Sequence, residues 1–197
     1  MTSISDKLPN HLGTQTEQTA DQHLLQQATA GDTAAFEALF HHHYERVYGL
    51  LFRLMGNRDE AEDLTQEVFL QLYQRPPTHN QRDEHNLSAW LYRVATNMGY
   101  NAIRGRQRRW QRNTVLVPPE QDPQGDPAKQ VAEQETATAV RHALAQLPPR
   151  DGQLLLLRQM DFSYAEIAAI CEINPNSVGT LLARAARAFK ELYVGSP

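Results

Sequence analysis

The chain has 197 residues, of which 19 are Lys or Arg and 23 are Asp or Glu, so its formal net charge is -4 with all eight histidines neutral. This length fits one large domain or two small ones, and a hydrophobic share of 41% permits a packed core. The amino terminus has no export signal, no apolar run reaches about 18 residues, and the single cysteine, Cys171, excludes an internal disulfide and a cysteine-based zinc site, so we expect a cytoplasmic protein without membrane insertion.

The first helices follow a polar amino terminus. Residues 1–21 are rich in Thr, Gln, Asn and Asp and have almost no apolar periodicity, which predicts a flexible leader. Helical periodicity begins near Gln22, and Asp32 is a candidate N-cap for a longer helix. In that helix apolar residues recur at steps of three and four from Phe36 to Leu54, as expected when one face packs against a core.

Two further helices are separated by a polar loop. Asn57 is placed to cap the first of them, which runs over about 59–74 and has apolar residues on one side. The segment 75–87 is rich in polar and turn-forming residues, which predicts a loop. Ser88 is then a candidate N-cap for a long helix that reaches about residue 109.

A proline-rich stretch divides the chain. Residues 113–127 contain four prolines and a glycine, which interrupt helical and strand periodicity and predict a linker. Helical patterns resume after this stretch, and the sequence has no sustained alternation of the kind that predicts strands. We therefore predict an all-α fold with two small helical domains joined by a flexible linker. The predicted division is a leader at 1–21, a first domain at 22–112, a linker at 113–127 and a second domain at 128–197.

Residues 150–190 have the spacing of a helix-turn-helix. Ser163 and Glu166 form a capping-box pattern for a short helix, and Pro175 stands where a second helix would begin, at a position where proline costs no hydrogen bond. Such a helix fits the DNA major groove, although a helical bundle that does not bind DNA could show the same spacing. The candidates for its outward face are Asn176, Ser177, Thr180, Ala183, Arg184 and Arg187.

Arginines are concentrated at the end of the long helix, without lysine among them. Arginine can contact phosphates and base edges through two parallel hydrogen bonds. Cations and aromatics on one helix surface are typical of proteins that bind single-stranded nucleic acid. Two structural explanations remain open, since a helix C-terminus favours cations and Trp90 can belong to the core. The surface at steps of three and four comprises Arg108, Arg104, Tyr100 or Asn101, Asn97, Arg93 and Trp90, and Arg106, Arg109 and Arg112 complete the cluster.

The helix at about 59–74 begins with an acidic block. The helix dipole stabilises negative side chains in the first turn, which can account for the earliest members of the block. Asp63, Gln66 and Glu67 lie further along and project away from the apolar side. They predict a docking surface for a basic protein partner, with a solvated helix face as the alternative.

Several motifs occur in a fixed order between about residues 24 and 193. They are GNRDEAEDLTQEVFLQLY at 56–73, SAWLYRVATNMGYNAIRGRQRR at 88–109, ALAQLPPRDGQLLLLRQMDFSYAEIAAI at 143–170 and NSVGTLLARAAR at 176–187. Together these motifs closely resemble the extracytoplasmic-function class (group IV) of bacterial sigma factors, although no single one of them is specific.

The resemblance implies a two-domain transcription initiation factor. Its first domain would bind the clamp of core RNA polymerase and open the minus-ten element, and its helix-turn-helix domain would bind the minus-thirty-five element. Double- and single-stranded promoter DNA are therefore both expected ligands. The resemblance also implies an anti-sigma factor as an inhibitory partner, and the linker would permit a compact closed form. It implies no cofactor.

The resemblance further assigns roles to individual residues. Asn97 matches the position that holds a flipped minus-ten base, with the loop 78–87 as part of its pocket. The implied polymerase contacts are Asp59, Asp63, Gln66 and Glu67. The implied minus-ten contacts are Arg93, Asn97, Arg104, Arg106, Arg108 and Arg109. The implied minus-thirty-five contacts are Ser177, Thr180, Ala183, Arg184 and Arg187.

The recognition helix departs from the family pattern. The family often has a basic residue two positions after the Gly-Thr pair, where this chain has Leu182, and alanines occupy the neighbouring contact positions 183 and 186. Arg184 and Arg187 remain as basic residues. This predicts either an unusual upstream sequence or recognition through DNA shape and phosphates rather than strong base readout.

Two other functions fit parts of the sequence. An enzyme would depend on His41, His42 and His43, but consecutive helical side chains point about 100° apart and cannot share one ion as residues at i and i+4 would. We therefore predict no metal site and no catalysis by this chain. A stand-alone dimeric helix-turn-helix regulator of duplex DNA would explain the second domain, but it would leave the acidic helix and the arginine-rich surface unexplained.

Overall fold

A computed structural model describes residues 11–77, 86–112, 136 and 139–194, with only the backbone described at 107–112. All regular structure in these ranges is helical, so the predicted all-α fold is confirmed. None of the helices in the ranges just given is long and apolar enough to cross a membrane. The predicted linker 113–127 and most of the predicted loop 78–87 lie outside the described residues.

The described part of the chain contains a series of α-helices. They are α1 (Gln15–Thr29), α2 (Thr33–Met55), α3 (Arg58–Gln74), α4 (Leu87–Arg112), α5 (139–146), α6 (Pro149–Gln159), α7 (Tyr164–Cys171) and α8 (Val178–Val194), with a 3₁₀ turn at Pro175–Ser177 before α8.

Local sequence signals set the boundaries of α2 and α3. The side chain of Asp32 accepts a hydrogen bond from the Ala34 N–H at 2.9 Å, as expected for the predicted N-cap of α2. Gly56 ends α2 with a φ of 67°, a conformation that glycine adopts without a Cβ penalty. Asn57 then accepts from the Glu60 N–H at 2.8 Å and caps α3, as predicted.

The start of α1 differs from the sequence prediction. The helix begins at Gln15, within the segment 1–21 that was predicted to be a flexible leader. Thr14 and Glu17 form a capping box, in which each side chain accepts a hydrogen bond from the backbone of the other. Apolar periodicity did not reveal this helix because most of its first half is polar, whereas the capping pair is a local signal that the sequence does contain.

The start of α4 also differs. Asn86, rather than Ser88, caps the helix, because the Asn86 side chain accepts a hydrogen bond from the Ala89 N–H at 2.9 Å. Ser88 lies inside the first turn and is buried. The helix starts two residues earlier than predicted, and Leu87 in its first turn already packs into the core.

Among the described residues, the apolar faces of the helices meet in two buried clusters, one much larger than the other. α2, α3 and α4 pack against one another, and α6, α7 and α8 form a second group. Both groups contribute to the same buried cluster, so the two domains are in direct contact. Members from the first group include Leu39, Leu50, Leu51, Val68, Leu91 and Ala95, and members from the second include Leu154, Leu157, Ile167, Ile170 and Val178.

Candidate functional site

The exposed side of α3 is acidic. The side chains predicted to meet the polymerase are all exposed, while Ala61, Val68 and Leu72 on the opposite side are buried. Two apolar side chains that the sequence analysis did not single out follow on the same helix, because Leu70 is 51% and Tyr73 is 62% exposed. Exposed apolar groups beside charged groups are typical of a protein-docking surface. The four predicted residues are Asp59, Asp63, Gln66 and Glu67.

The minus-ten candidates on α4 have different environments. Asn97 and Arg104 are exposed, whereas the Arg93 side chain is only 14% exposed and its Nη1 lies 2.7 Å from Oε1 of Glu172. Glu172 follows α7 in the second domain, so this ion pair joins the two domains.

The end of α4 contacts α3. Arg106 is half-buried and forms an ion pair with Glu60, an acidic residue in the first turn of α3, so the charge of Glu60 is offset within the first domain. The side chains of Arg108 and Arg109 lie outside the described residues. The arginine cluster is thus not one uniformly exposed surface, since Arg104 is exposed whereas Arg106 is half-buried and paired with Glu60.

The aromatic residues of α4 do not form the exposed surface that periodicity suggested. Trp90 and Tyr100 are both buried, at 7% and 2% exposure. Trp90 belongs to the core, which was the structural alternative, and Tyr100 packs against Gly152 of α6. Burial raises the pKa of the Tyr100 hydroxyl above its usual range.

α4 packs against the second domain through the side that carries Arg93. The Tyr92 ring meets Phe162 edge-to-face with centroids 5.0 Å apart, and Gln153 of α6 donates a hydrogen bond to the Thr96 hydroxyl. Burial raises the pKa of Tyr92 to about 12. The structure is therefore a closed form in which part of the predicted minus-ten surface is covered by the second domain.

The second domain contains the predicted helix-turn-helix. Ser163 and Glu166 form the predicted capping box of α7, because the Ser163 N–H donates to Oε2 of Glu166 at 2.8 Å and the Glu166 N–H donates to the Ser163 hydroxyl at 3.3 Å. After α7, Glu172 adopts a left-handed φ of 54°. Pro175 begins a 3₁₀ turn rather than the second α-helix, which starts at Val178.

α8 has a buried and an exposed side. Val178 and Leu182 are buried, and Leu181 is half-buried. Because Leu182 packs into the core, a basic residue at this position would lose its hydration. The predicted minus-thirty-five candidates are all exposed, namely Ser177, Thr180, Ala183, Arg184 and Arg187.

One of these candidates already has an internal partner. Nη2 of Arg184 lies 3.0 Å from Oδ1 of Asp151, a carboxylate on α6 that is nearly buried. If Arg184 binds DNA as predicted, its guanidinium is shared with Asp151. Arg187 is a second exposed cation on the same helix.

The histidine run has a role that its spacing did not indicate. His41 and His42 are exposed, but His43 is buried and its Nε2 lies 2.9 Å from Oδ2 of the buried Asp21. Ligand atoms of Asp21, His42 and His43 lie within 4.8 Å of one another. The hydrogen bond between Asp21 and His43 joins α1 to α2, and the sequence analysis missed it because the two residues are distant in the chain.

Comparison with known protein families accounts for both domains. Residues 39–109 match the family model of sigma-70 region 2, and residues 137–189 match that of sigma-70 region 4. The chain is therefore a sigma factor, a protein that acts in transcription initiation. It belongs to the extracytoplasmic-function class of these factors. The alternative of a stand-alone dimeric regulator is not favoured, because it does not account for region 2.

Similar proteins agree with this assignment. The chain is 29% identical to the RNA polymerase sigma-H factor of Pseudomonas aeruginosa, over 87% of this chain and 91% of that protein. It is 31% identical to the extracytoplasmic-function sigma factor SigE of Mycolicibacterium smegmatis, over 82% of this chain and 63% of SigE. The fold is similar to that of CnrH, which was solved in complex with the cytosolic domain of CnrY. The TM-score is 0.54 and the sequence identity is 18%, over 90% of this chain and 99% of the CnrH chain.

Proposed function

We propose that this sigma factor belongs to group IV and binds the polymerase and promoter DNA through three surfaces. The acidic side of α3 binds the clamp of core RNA polymerase, the exposed side of α4 holds the opened minus-ten element, and α8 contacts the minus-thirty-five element. The observation that carries the proposal is that an exposed acidic surface on α3 and an exposed cationic residue on α4 occur in the same small domain.

The polymerase surface is proposed to consist of charged and apolar parts. Its charged part is Asp59, Asp63, Gln66 and Glu67, and Leu70 and Tyr73 extend it toward the end of α3. Charged residues steer association with a partner of opposite sign and fix the register of the complex. Exposed aromatic and apolar residues supply the buried contact area that a stable complex needs.

The minus-ten surface is proposed to combine base capture with phosphate binding. Asn97 is exposed and has an amide that can both donate to and accept from a base edge. Arg104 lies seven residues further along α4, about two helical turns away, and can bind the strand backbone, together with Arg93, Arg106, Arg108 and Arg109. Arg93 can serve this role only after its ion pair with Glu172 is broken, so DNA binding requires the closed form to open.

The remaining proposals concern an inhibitory protein partner, the cellular compartment and the absence of catalysis. CnrH was solved in complex with the cytosolic domain of CnrY, and we propose that this chain likewise binds a partner protein, an anti-sigma factor that holds it inactive. We propose that the protein acts in the cytoplasm and catalyses no reaction itself, since nucleotide polymerisation would belong to the polymerase.

Charge reversal on α3 tests the polymerase surface. The variant Asp63→Lys with Glu67→Lys places two cations where a basic partner is proposed to bind, so we expect at least a tenfold loss of promoter-directed transcripts with purified core polymerase. Both residues are exposed, and the stability of the variant should therefore change by less than about 1 kcal/mol.

The matched control is Glu191→Lys on α8, an exposed acid outside the proposed surfaces. This control should not weaken the complex with core polymerase in a pull-down assay. If the α3 variant binds core polymerase and initiates transcription as well as the parent, the assignment of the acidic surface is wrong.

A further inference from the structure

The residues that precede α1 contact the helix-turn-helix domain. The backbone N–H groups of His11 and Leu12 both donate to Oε1 of Glu166, at 2.7 Å and 3.2 Å. The other carboxylate oxygen of Glu166 is bound by the Ser163 N–H in the capping box. Glu166 is itself buried, and hydrogen bonds to a charged group in a buried setting are among the stronger ones in proteins.

Side chains extend this contact. The His11 ring stacks on Phe162 with centroids 4.0 Å apart and an interplanar angle of 18°. Phe162 in turn meets Tyr92 of α4 edge-to-face, so one ring of the second domain lies between rings from two parts of the first. Leu12 is 6% exposed and belongs to the core cluster that both domains share.

The same residues are attached firmly to the first domain. Gly13 and the capping box of Thr14 lead directly into α1, which packs along α2. The hydrogen bond between Asp21 and His43 and the packing of Leu24 hold α1 in place. A segment anchored on the first domain therefore makes its own contacts with the second.

We propose that residues 11–14, the N-terminal segment, are an autoinhibitory element that holds the two domains closed and so keeps Arg93 and its neighbours on α4 from DNA. Only the effect on DNA binding depends on the proposed function, because the closed arrangement of the two domains can be tested in the chain without DNA. Release of the N-terminal segment removes two hydrogen bonds and one apolar side chain from the interface between the domains.

The closed interface has features of a contact that can open. Nε2 of His11 and the hydroxyl of Tyr100 are both buried without a hydrogen-bond partner among the described residues. Water can reach such groups when the domains separate, so leaving them buried lowers the free-energy advantage of the closed form. The N-terminal segment supplies contacts that offset this cost.

Domain separation can be measured directly in the full chain. Nitroxide labels at Gln71→Cys on α3 and Lys190→Cys on α8, both exposed positions, report the distance between the domains in a Cys171→Ala background. The parent should give a single short distance by pulsed electron paramagnetic resonance. Deletion of residues 1–13, which leaves the Thr14 cap of α1 intact, should give a broad distribution that extends to longer distances.

A point variant provides a second perturbation. Leu12→Asp places a carboxylate in a buried position beside Glu166, which should expel the N-terminal segment. Val194→Asp makes the same kind of substitution at a 72% exposed position and should leave the distance unchanged. If the deletion variant keeps the distance distribution of the parent, the proposal is overturned, whatever Leu12→Asp does.

Binding of a labelled, random-sequence, single-stranded DNA oligonucleotide separates this proposal from the proposed function. If the parent is mostly closed, its apparent affinity is reduced by the fraction of open molecules, so the deletion should raise the affinity about tenfold. Longer distances with unchanged DNA affinity would support the closing role of the N-terminal segment and contradict the DNA-binding role of α4.

Discussion

Two acid–histidine pairs in this protein differ mainly in burial. Asp21 and His43 are joined at 2.9 Å with side chains 6% and 2% exposed, whereas Glu37 and His41 lie 3.7 Å apart with side chains more than 70% exposed. Water screens the exposed pair and hydrates either partner when the other is removed. A buried polar side chain that loses its hydrogen-bond partner cannot turn to water instead, and this costs about 1–3 kcal/mol of stability.

Asp21→Ala should therefore lower the free energy of unfolding by about 1–3 kcal/mol, because it leaves His43 buried without its partner. Glu37→Ala, which breaks the exposed pair on α2, should change it by less than about 0.5 kcal/mol. Urea unfolding of both variants followed by circular dichroism measures the difference. Equal effects of the two substitutions would show that the Asp21–His43 hydrogen bond does not stabilise the packing of α1.

The residue-scale features that the sequence predicted act over short distances. Asp32, Asn57 and the pair Ser163–Glu166 cap helices through contacts within three residues, and such contacts leave a pattern in the sequence itself. The ion pair of Arg93 with Glu172 joins residues far apart in the chain and follows no local pattern. Its existence depends on how the domains pack, which periodicity does not encode.

At the scale of elements, the side chains of α8 indicate why this helix should make few base-specific hydrogen bonds to the minus-thirty-five element. Leu182 is buried in the core, Ala183 has no polar atom on its side chain, and Arg184 already forms an ion pair with Asp151. Hydrogen bonds to base edges carry most direct sequence discrimination. α8 thus retains few side chains that can supply them, although its exposed arginines can still bind phosphates.

Reporter promoters should reveal this difference. Scrambling the minus-thirty-five element should reduce transcription less than scrambling the minus-ten element if, as we propose, α8 contacts the first mainly through DNA shape and phosphates. The parent promoter, identified by mapping transcript starts after overexpression, and a variant scrambled only in the spacer serve as references. An equal or greater loss from the upstream scramble would contradict the inference and would point to direct readout by α8.

At the scale of the whole molecule, the all-α fold and its helix-turn-helix were predictable, but the closed arrangement was not. Steps of three and four residues along α4 place Tyr100 or Asn101 on a surface shared with arginines, but Tyr100 is buried against α6. Periodicity reports which face of a helix avoids water, not which domain covers it. The glycine at position 152 permits this approach, since α6 has no side chain where the tyrosine ring lies.

Gly152→Ala should therefore open the molecule. A Cβ at this position would lie 2.5 Å from the Tyr100 hydroxyl oxygen and 2.6 Å from two ring carbons, and the buried ring has little room to move. Alanine also stabilises α6 by about 1 kcal/mol relative to glycine once the domains separate. The distance between labels at positions 71 and 190 should lengthen, whereas Gly49→Ala, whose Cβ would meet nothing within 4 Å, should leave it unchanged. A Gly152→Ala protein that stays as closed as the parent would refute direct packing of α4 on α6 in solution.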